Sequence, residues 1–188
     1  MTQFILRVLL IVALCTTSLL CQNQPPIPAP TTPLPPGSSP QAKASDVDSV
    51  EHLVAALYDV ISGPAGTRDW NRFRSLFYPG AHLIPTRREQ DGKITARMLS
   101  ADEYIQRAQA IFEKEGFFER SVANRTEIWD HIAHVWSTYE SRHAQSEKPF
   151  ARGINSIQLF HDGARWWVVN VYWEAEDQTH ALPKKYVK

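Results

Sequence analysis

Arg152 is the side chain whose type and position point most directly to ligand binding. It lies in the segment 150–161, where polar and apolar residues alternate, and it shares its parity with Ser156 and Gln158. Such alternation is typical of a strand with one buried face. A buried guanidinium needs a carboxylate or an anionic ligand beside it. We expect Arg152 to anchor a ligand; the alternatives are an internal ion pair or an exposed charge at the strand end.

The dipeptide Asp162-Gly163 separates this segment from a second alternating one, 164–175. Asp-Gly favours a two-residue hairpin turn, which predicts that Gln158 lies opposite Trp167 and Arg152 opposite Trp173. The face predicted to line a pocket then consists of Arg152, Ile154, Ser156, Gln158, Trp167, Val169, Val171 and Trp173. Three polar groups in an apolar wall are the arrangement expected of a small-molecule site.

Asp130, His131 and His134 have the composition of a metal site. The segment 126–140 alternates like a strand, however, and residues three apart in a strand point to opposite faces. The two histidines therefore cannot bind one ion together, and we expect no metal.

One parity of that segment must face inward, either His134 with Trp136 or His131 with Tyr139. We favour His134 with Trp136. His82, at the start of a predicted strand, is a second histidine that could orient a ligand or stay partly exposed.

Trp70 and Tyr78 flank a predicted helix and have the positions of aromatic residues at a pocket mouth. Aromatic residues at helical spacing also build cores, so burial in the core is the alternative. Neither residue identifies a ligand.

Three helices are predicted to position these side chains. The first follows an N-cap at Ser45-Asp46 and runs to Ile61, the second spans Trp70 to Phe77, and the third follows a capping box of Ser100 and Glu103. After Gly116 the pattern alternates through 117–124, 126–140, 150–161 and 164–175. We predict an α+β fold with three N-terminal helices packed on a curved antiparallel sheet.

The amino terminus has the layout of a signal peptide. An unbroken apolar run, Val8 to Leu14, is shorter than the roughly 20 residues that a transmembrane helix needs. We predict a signal peptide at 1–21, a proline-rich disordered linker at 22–45, the folded domain at 46–176 and a flexible tail at 177–188. An uncleaved membrane anchor is the alternative.

The predicted leader makes the chain an exported protein, periplasmic or secreted. Its contact with the membrane is limited to the leader or to a lipid at Cys21. Leu20 disfavours lipidation, because lipoprotein signals place a small residue before the cysteine. Both cysteines lie in the leader, so the domain has no disulfide.

The charge balance argues against nucleic acid as a partner. The chain has 20 basic and 20 acidic residues, and neither sign forms a long block. A phosphate backbone requires a concentrated basic surface, which this distribution does not offer.

Two segments carry a family resemblance: RDWNRFRSLFYPGAHLIP at 68–85 and FARGINSIQLFHDGARWWVVNVYWE at 150–174. Together with the element order over 46–176, they resemble the nuclear transport factor 2-like superfamily, in particular exported SnoaL-like domains. The resemblance implies a conical pocket for a small molecule, no cofactor, and a homodimer formed through the outer face of the sheet.

Enzymes of this superfamily use a carboxylate or histidine base with hydrogen-bond donors in a dry pocket. Their base motifs are not matched here, so we predict binding of a small, partly apolar ligand. One alternative is a cofactor-independent isomerase, cyclase or dehydratase with His82 or His134 as base. Another is a dimeric assembly module with a filled cone and an apolar outer face around Trp166 and Tyr172.

Overall fold

The structure of the protein is a computed structural model that describes residues 39–187. The predicted signal peptide and most of the proline-rich linker lie outside the described residues. The described chain contains four α-helices: α1 (Ala44–Val47), α2 (Val50–Ile61), α3 (Trp70–Leu76) and α4 (Ala101–Phe112).

The predicted first helix is two helices, α1 and α2. Ser49 interrupts it with extended backbone, and its hydroxyl accepts a hydrogen bond from the backbone N–H of His52 at 3.1 Å. The expected N-cap at Ser45-Asp46 is therefore wrong, since Ser49 caps the long helix. Asp46 is instead buried and paired with Arg72 at 2.8 Å.

The capping box predicted for the third helix is confirmed at the start of α4. Ser100 accepts a hydrogen bond from the backbone N–H of Glu103, and the Glu103 carboxylate accepts one from the backbone N–H of Ser100. In α3, Asp69 plays the same capping role toward the N–H of Arg72. These caps fix where α3 and α4 begin.

Six strands form one sheet in the order β2-β1-β6-β5-β4-β3. Their bounds are β1 (Phe77–Arg88), β2 (Ile94–Ala96), β3 (Phe118–Trp129), β4 (Ile132–Arg142), β5 (Ala151–His161) and β6 (Trp166–Ala175). All neighbours are antiparallel except β1 and β6, which run parallel. The α+β class is confirmed, with four α-helices in the described residues instead of three, and a short 3-10 helix at Lys184–Tyr186.

The turn between β3 and β4 lies at Asp130 and His131, where Asp130 has φ 51°. The alternating segments 117–124 and 126–140 predicted one strand on each side of residue 125, and these bounds are wrong. The turn forms at Asp130 because Asp tolerates the left-handed conformation that a tight turn requires.

The hairpin between β5 and β6 also differs from the prediction. The Asp162 carboxylate accepts hydrogen bonds from the backbone N–H groups of Ala164 and Arg165, which extends the turn to residues 162–165. The pairing shifts accordingly, and a bulge follows Gln158. The predicted pairing of Arg152 with Trp173 is therefore wrong.

The corrected register defines the two faces of the sheet. The inner face packs on the helices and carries the fully buried Val135, Ile157 and Val168. The outer face carries Trp136, Ser156 and Tyr172, which are neighbours across β4, β5 and β6. Trp166, expected outside, is buried on the inner side.

Residues 177–187, expected to form a flexible tail, lie against the outer face. Thr138 donates a hydrogen bond to the backbone carbonyl of Tyr186, and Arg125 donates one to that of Lys185. The Tyr186 ring also lies 5.9 Å from the ring of Trp136. The tail thus covers part of the surface that the resemblance assigned to a homodimer.

Candidate functional site

A cavity of about 300 Å³ lies between the helices and the inner face of the sheet. A filled cone, expected if the domain were only an assembly module, is not observed. Most of the cavity wall is apolar, and its members include Leu57, Phe73, Leu83, Phe112, Val171 and Trp173. The cavity therefore suits a small molecule with a largely apolar body.

One side of α4 forms the wall near the entrance. The cavity is lined by Tyr104, Arg107, Ala108 and Ile111, which follow the helical pattern i, i+3, i+4, i+7. This spacing places them on one helical face. Ile111 and Arg107 are exposed, so the entrance has both an apolar contact and a cationic group.

Glu119 on β3 is the carboxylate of the cavity. Its neighbour across the sheet, Ser141, donates a hydrogen bond to Glu119 Oε2 at 2.7 Å. Burial raises the pKa of Glu119 to about 7, although hydrogen bonds from Ser141 and Asn155 favour the ionised form. The Glu119 side chain is only half-buried, because its carboxyl faces the cavity. A carboxyl with this pKa exchanges protons near neutral pH.

Asn155 lines the cavity together with Glu119 and belongs to a buried hydroxyl network. It donates a hydrogen bond to the hydroxyl of Tyr58 at 3.0 Å, and that hydroxyl lies 2.6 Å from the hydroxyl of Ser137. Burial raises the pKa of Tyr58, so the phenol stays neutral. The network fixes the side chains at the polar end of the cavity.

Two further tyrosines, Tyr104 and Tyr139, line the cavity. Burial and the charge of Glu119 raise the pKa of both phenols, which therefore remain hydrogen-bond donors at neutral pH. Gly153 makes room for Tyr139, since a Cβ atom at position 153 would lie 2.7 Å from the Tyr139 hydroxyl oxygen. The cavity thus combines one titratable carboxyl with neutral phenol donors.

The residues predicted as polar pocket groups lie on the outer face. Arg152 is partly exposed and its guanidinium is 3.6 Å from Glu176, a residue after β6 rather than a helical carboxylate. Gln158 is exposed, and Ser156 lies 3.2 Å from His134 Nε2. Their role in ligand binding stays a prediction, but none of them lines the cavity.

The other predicted site residues are divided between the two faces. Trp173 lines the cavity. Trp70 packs on Phe73 at the edge of the core. Tyr78 lies against two aromatic rings of the outer face, Phe160 and Trp167.

Neither histidine considered as a base lines the cavity. His82 is exposed, next to the buried Leu83. His134 and Trp136 lie on the outer face, whereas Tyr139 lies on the inner face. The preferred parity of that strand is therefore wrong. Of the alternative pair, Tyr139 faces inward as stated, whereas His131 is exposed in the turn before β4.

Glu119, Tyr58 and Asn155 were not identified from the sequence. Glu119 follows two adjacent phenylalanines, Phe117 and Phe118, so alternation does not reveal which parity is buried. The usable signal was indirect: Glu119 shares its parity with Phe117, which packs against the core.

Within residues 39–187, no group of three histidine or carboxylate side chains is arranged to hold a metal ion. In the same part of the chain, no helix is both long enough and apolar enough to cross a membrane.

Comparison with known proteins shows the fold. No family model matches the chain, and no curated protein matches it. A Nostoc punctiforme protein of unknown function with a cystatin-like fold has a TM-score of 0.54 at 13% identity, covering 73% of this chain and 96% of that one. A variant of a Mycobacterium tuberculosis protein of unknown function has a TM-score of 0.53 at 14% identity, covering 68% and 69%.

A protein from Silicibacter pomeroyi described as NTF-2-like is also similar, with a TM-score of 0.47 at 15% identity over 69% of this chain and 94% of that one. At such identities, likeness concerns the fold alone. The Nostoc punctiforme and Mycobacterium tuberculosis proteins, both with a TM-score above 0.5, therefore share the fold of this chain and nothing more is shown by them.

Proposed function

We propose that the protein is a cofactor-independent acid/base enzyme that acts on a small, largely apolar molecule. The observation that supports this proposal is Glu119, a carboxyl with a pKa near 7 at the polar end of an apolar cavity. A general base is most effective when its pKa lies near the working pH. The proposal keeps the predicted small-molecule site but moves its polar centre from Arg152 to Glu119.

The ionised Glu119 would remove a proton from a carbon next to a carbonyl group or a similar electron-withdrawing group. Negative charge then develops on the substrate oxygen. Neutral phenols at Tyr104 and Tyr139 can donate hydrogen bonds to that oxygen, and the apolar wall strengthens these bonds by excluding water. The protonated Glu119 would return the proton to another atom of the substrate, which completes an isomerisation or an elimination.

Ser141 and Asn155 hold the base in position without titrating themselves. Ser141 engages one carboxylate oxygen of Glu119. Asn155 is fixed in turn by Tyr58. Arg107 at the entrance favours a substrate with an anionic or strongly polar group at the end remote from Glu119.

The proposal can be tested with 5-nitrobenzisoxazole, a small aromatic probe for a base in an apolar cavity. A base removes the proton from the ring carbon next to nitrogen. The C–H electron pair then forms the nitrile, the N–O bond breaks, and its electron pair stays on oxygen, which gives a coloured cyanophenolate. We expect the protein to accelerate this reaction, with a rate that rises with pH around a midpoint near 7.

Glu119→Gln should lower the rate by about 100-fold or more, the usual contribution of a general base. Glu147→Gln, a change at an exposed position between β4 and β5, is the matched control and should leave the rate unchanged. Equal rates for the protein and the Glu119→Gln variant would refute the assignment of the base. A cavity that binds the probe without accelerating its reaction would support the alternative of a ligand-binding protein.

A further inference from the structure

The strand β3 forms one edge of the sheet and is the long edge. It has 12 residues, whereas β2 at the opposite edge has three. A long unpaired edge presents backbone donors and acceptors to any strand that can align with it. The edge of β3 is therefore the place in the described chain where a further strand can add to the sheet.

Only part of this edge is free. At its start, Gly63 forms a bridge with Phe117, and the Ser62 hydroxyl bonds both the N–H and the C=O of Glu119. A bulge then follows Ser121 and reverses which residues point their backbone groups outward. Beyond the bulge, residues 124–130 are all exposed.

The hairpin geometry shows which backbone groups of this segment point away from β4. The turn has two residues, so Trp129 and Ile132 flank it as a hydrogen-bonded pair. Alternation then directs the N–H and C=O groups of Asn124, Thr126 and Ile128 outward. No described residue hydrogen-bonds to these backbone groups outside the β3–β4 ladder.

We infer that this edge pairs with the same edge of a second copy of the chain, antiparallel and about a two-fold axis at Thr126. In this register Arg125, whose Nη2 also donates a hydrogen bond to the backbone carbonyl of Lys185, lies opposite Glu127 of the second copy, and the symmetry creates the pair twice. Opposite charges directly across two strands stabilise their pairing. Within residues 39–187, Glu127 has no ion-pair partner, so its carboxylate is available for this contact.

The same register covers the apolar side chains at the end of the hairpin. Trp129 is 77% exposed, and the pairing places it opposite the small Ala123 of the second copy, diagonal to that copy's Arg125. Ile128 is 53% exposed and comes to lie opposite the second copy's Asn124. Large exposed apolar groups beside a free edge are typical of an interaction surface.

This contact differs from the face-to-face dimer that the family resemblance implies. The tail already occupies part of the outer face, through Tyr186 and Lys185. Edge pairing leaves that tail in place and joins two six-stranded sheets into one.

Charge reversal tests the inference on the full chain by sedimentation equilibrium. We expect a dimer, with Glu127→Arg and Arg125→Glu each raising its dissociation constant about tenfold or more, because each change places like charges opposite one another twice. An equimolar mixture of the two variants should recover the dimer, since their charges complement each other. Glu147→Arg is the control for charge alone and should behave like the unchanged chain.

A cross-link tests the register. The two Thr126 residues would form a hydrogen-bonded pair, whose Cα atoms lie about 5.5 Å apart, a distance that a disulfide spans. With Cys15 and Cys21 replaced by serine, Thr126→Cys should give a covalent dimer on mild oxidation, and Lys93→Cys, near the opposite edge, should not.

Three results would overturn the inference. The first is a monomer at the highest soluble concentration. The second is a dimer that persists unchanged in both charge variants, which would place the contact on the outer face. The third is that Glu127→Arg and Arg125→Glu are both monomeric and do not associate when mixed. Lost charge complementarity would then not explain why each variant fails to dimerise.

Discussion

Replacing Glu119 with glutamine should stabilise the protein in alkaline solution and leave its stability nearly unchanged in acid. The folded state raises the pKa of Glu119 from 4.5 to about 7 because burial opposes the charged form. Below pH 4.5 the carboxyl is neutral in both folded and unfolded chains, so the group carries no penalty there. Between pH 4.5 and 7 the unfolded chain releases the proton first, and the folded state progressively loses stability.

The size of the effect follows from the pKa difference. A shift from 4.5 to about 7 corresponds to about 3 kcal/mol of unfolding free energy above pH 7. Because the Glu119 side chain is only half-buried, solvent screening reduces this value. The stability difference between Glu119→Gln and the unchanged chain should therefore be about 2–3 kcal/mol more favourable to the variant at pH 8.5 than at pH 4.5.

Urea denaturation of the two chains at a series of pH values provides the measurement. All other ionisable groups are present in both chains and cancel in the difference. Glu147→Gln is the control and should show no such pH-dependent gain. A difference between Glu119→Gln and the unchanged chain that does not vary from pH 4.5 to 8.5 would refute the burial argument.

Two further predictions concern Gly153, which makes room for Tyr139 in the cavity, and the ion pair of Asp46 with Arg72. Gly153→Ala should destabilise the fold by about 1–3 kcal/mol and weaken binding in the cavity, because the added methyl group would displace the Tyr139 hydroxyl and the Glu174 carbonyl. Urea denaturation measures this loss, and unchanged stability would contradict it. Asp46→Asn should remove stability above the ordinary Asp pKa of 3.8, since hydrogen bonding to Arg72 lowers the pKa of Asp46. The unchanged chain should therefore lose that advantage as the pH falls below 3.8, and parallel acid profiles of the two chains would contradict the assignment.

The class of fold could be predicted from the sequence because local signals agreed with one another. The capping box of Ser100 and Glu103 fixed the start of α4, and the alternation after Gly116 indicated the long strands. The strand β1 paired parallel to β6, a long-range contact that carries no local signal.

The site was harder to predict because it depends on which strand residues face inward. A bulge decided this for the last hairpin. The longer turn moves the pairing by two residues, which keeps the predicted grouping of faces, but the register shift after Gln158 moves it by one more and exchanges them. Asn155 therefore lies opposite the inward Trp173, and Arg152 faces outward. Glu119 was missed because a carboxylate on an inner face contradicts the expectation that inward residues are apolar.

The assignment of Glu119 as the base requires its carboxyl to titrate near neutral pH inside the cavity. Carbon-13 NMR of the glutamate side-chain carboxyls, with the signal of Glu119 assigned by its loss in Glu119→Gln, measures this pKa directly. We predict a midpoint near 7. A midpoint at the ordinary value of 4.5 would show that the carboxyl is hydrated like a surface group, and would contradict its role as the base.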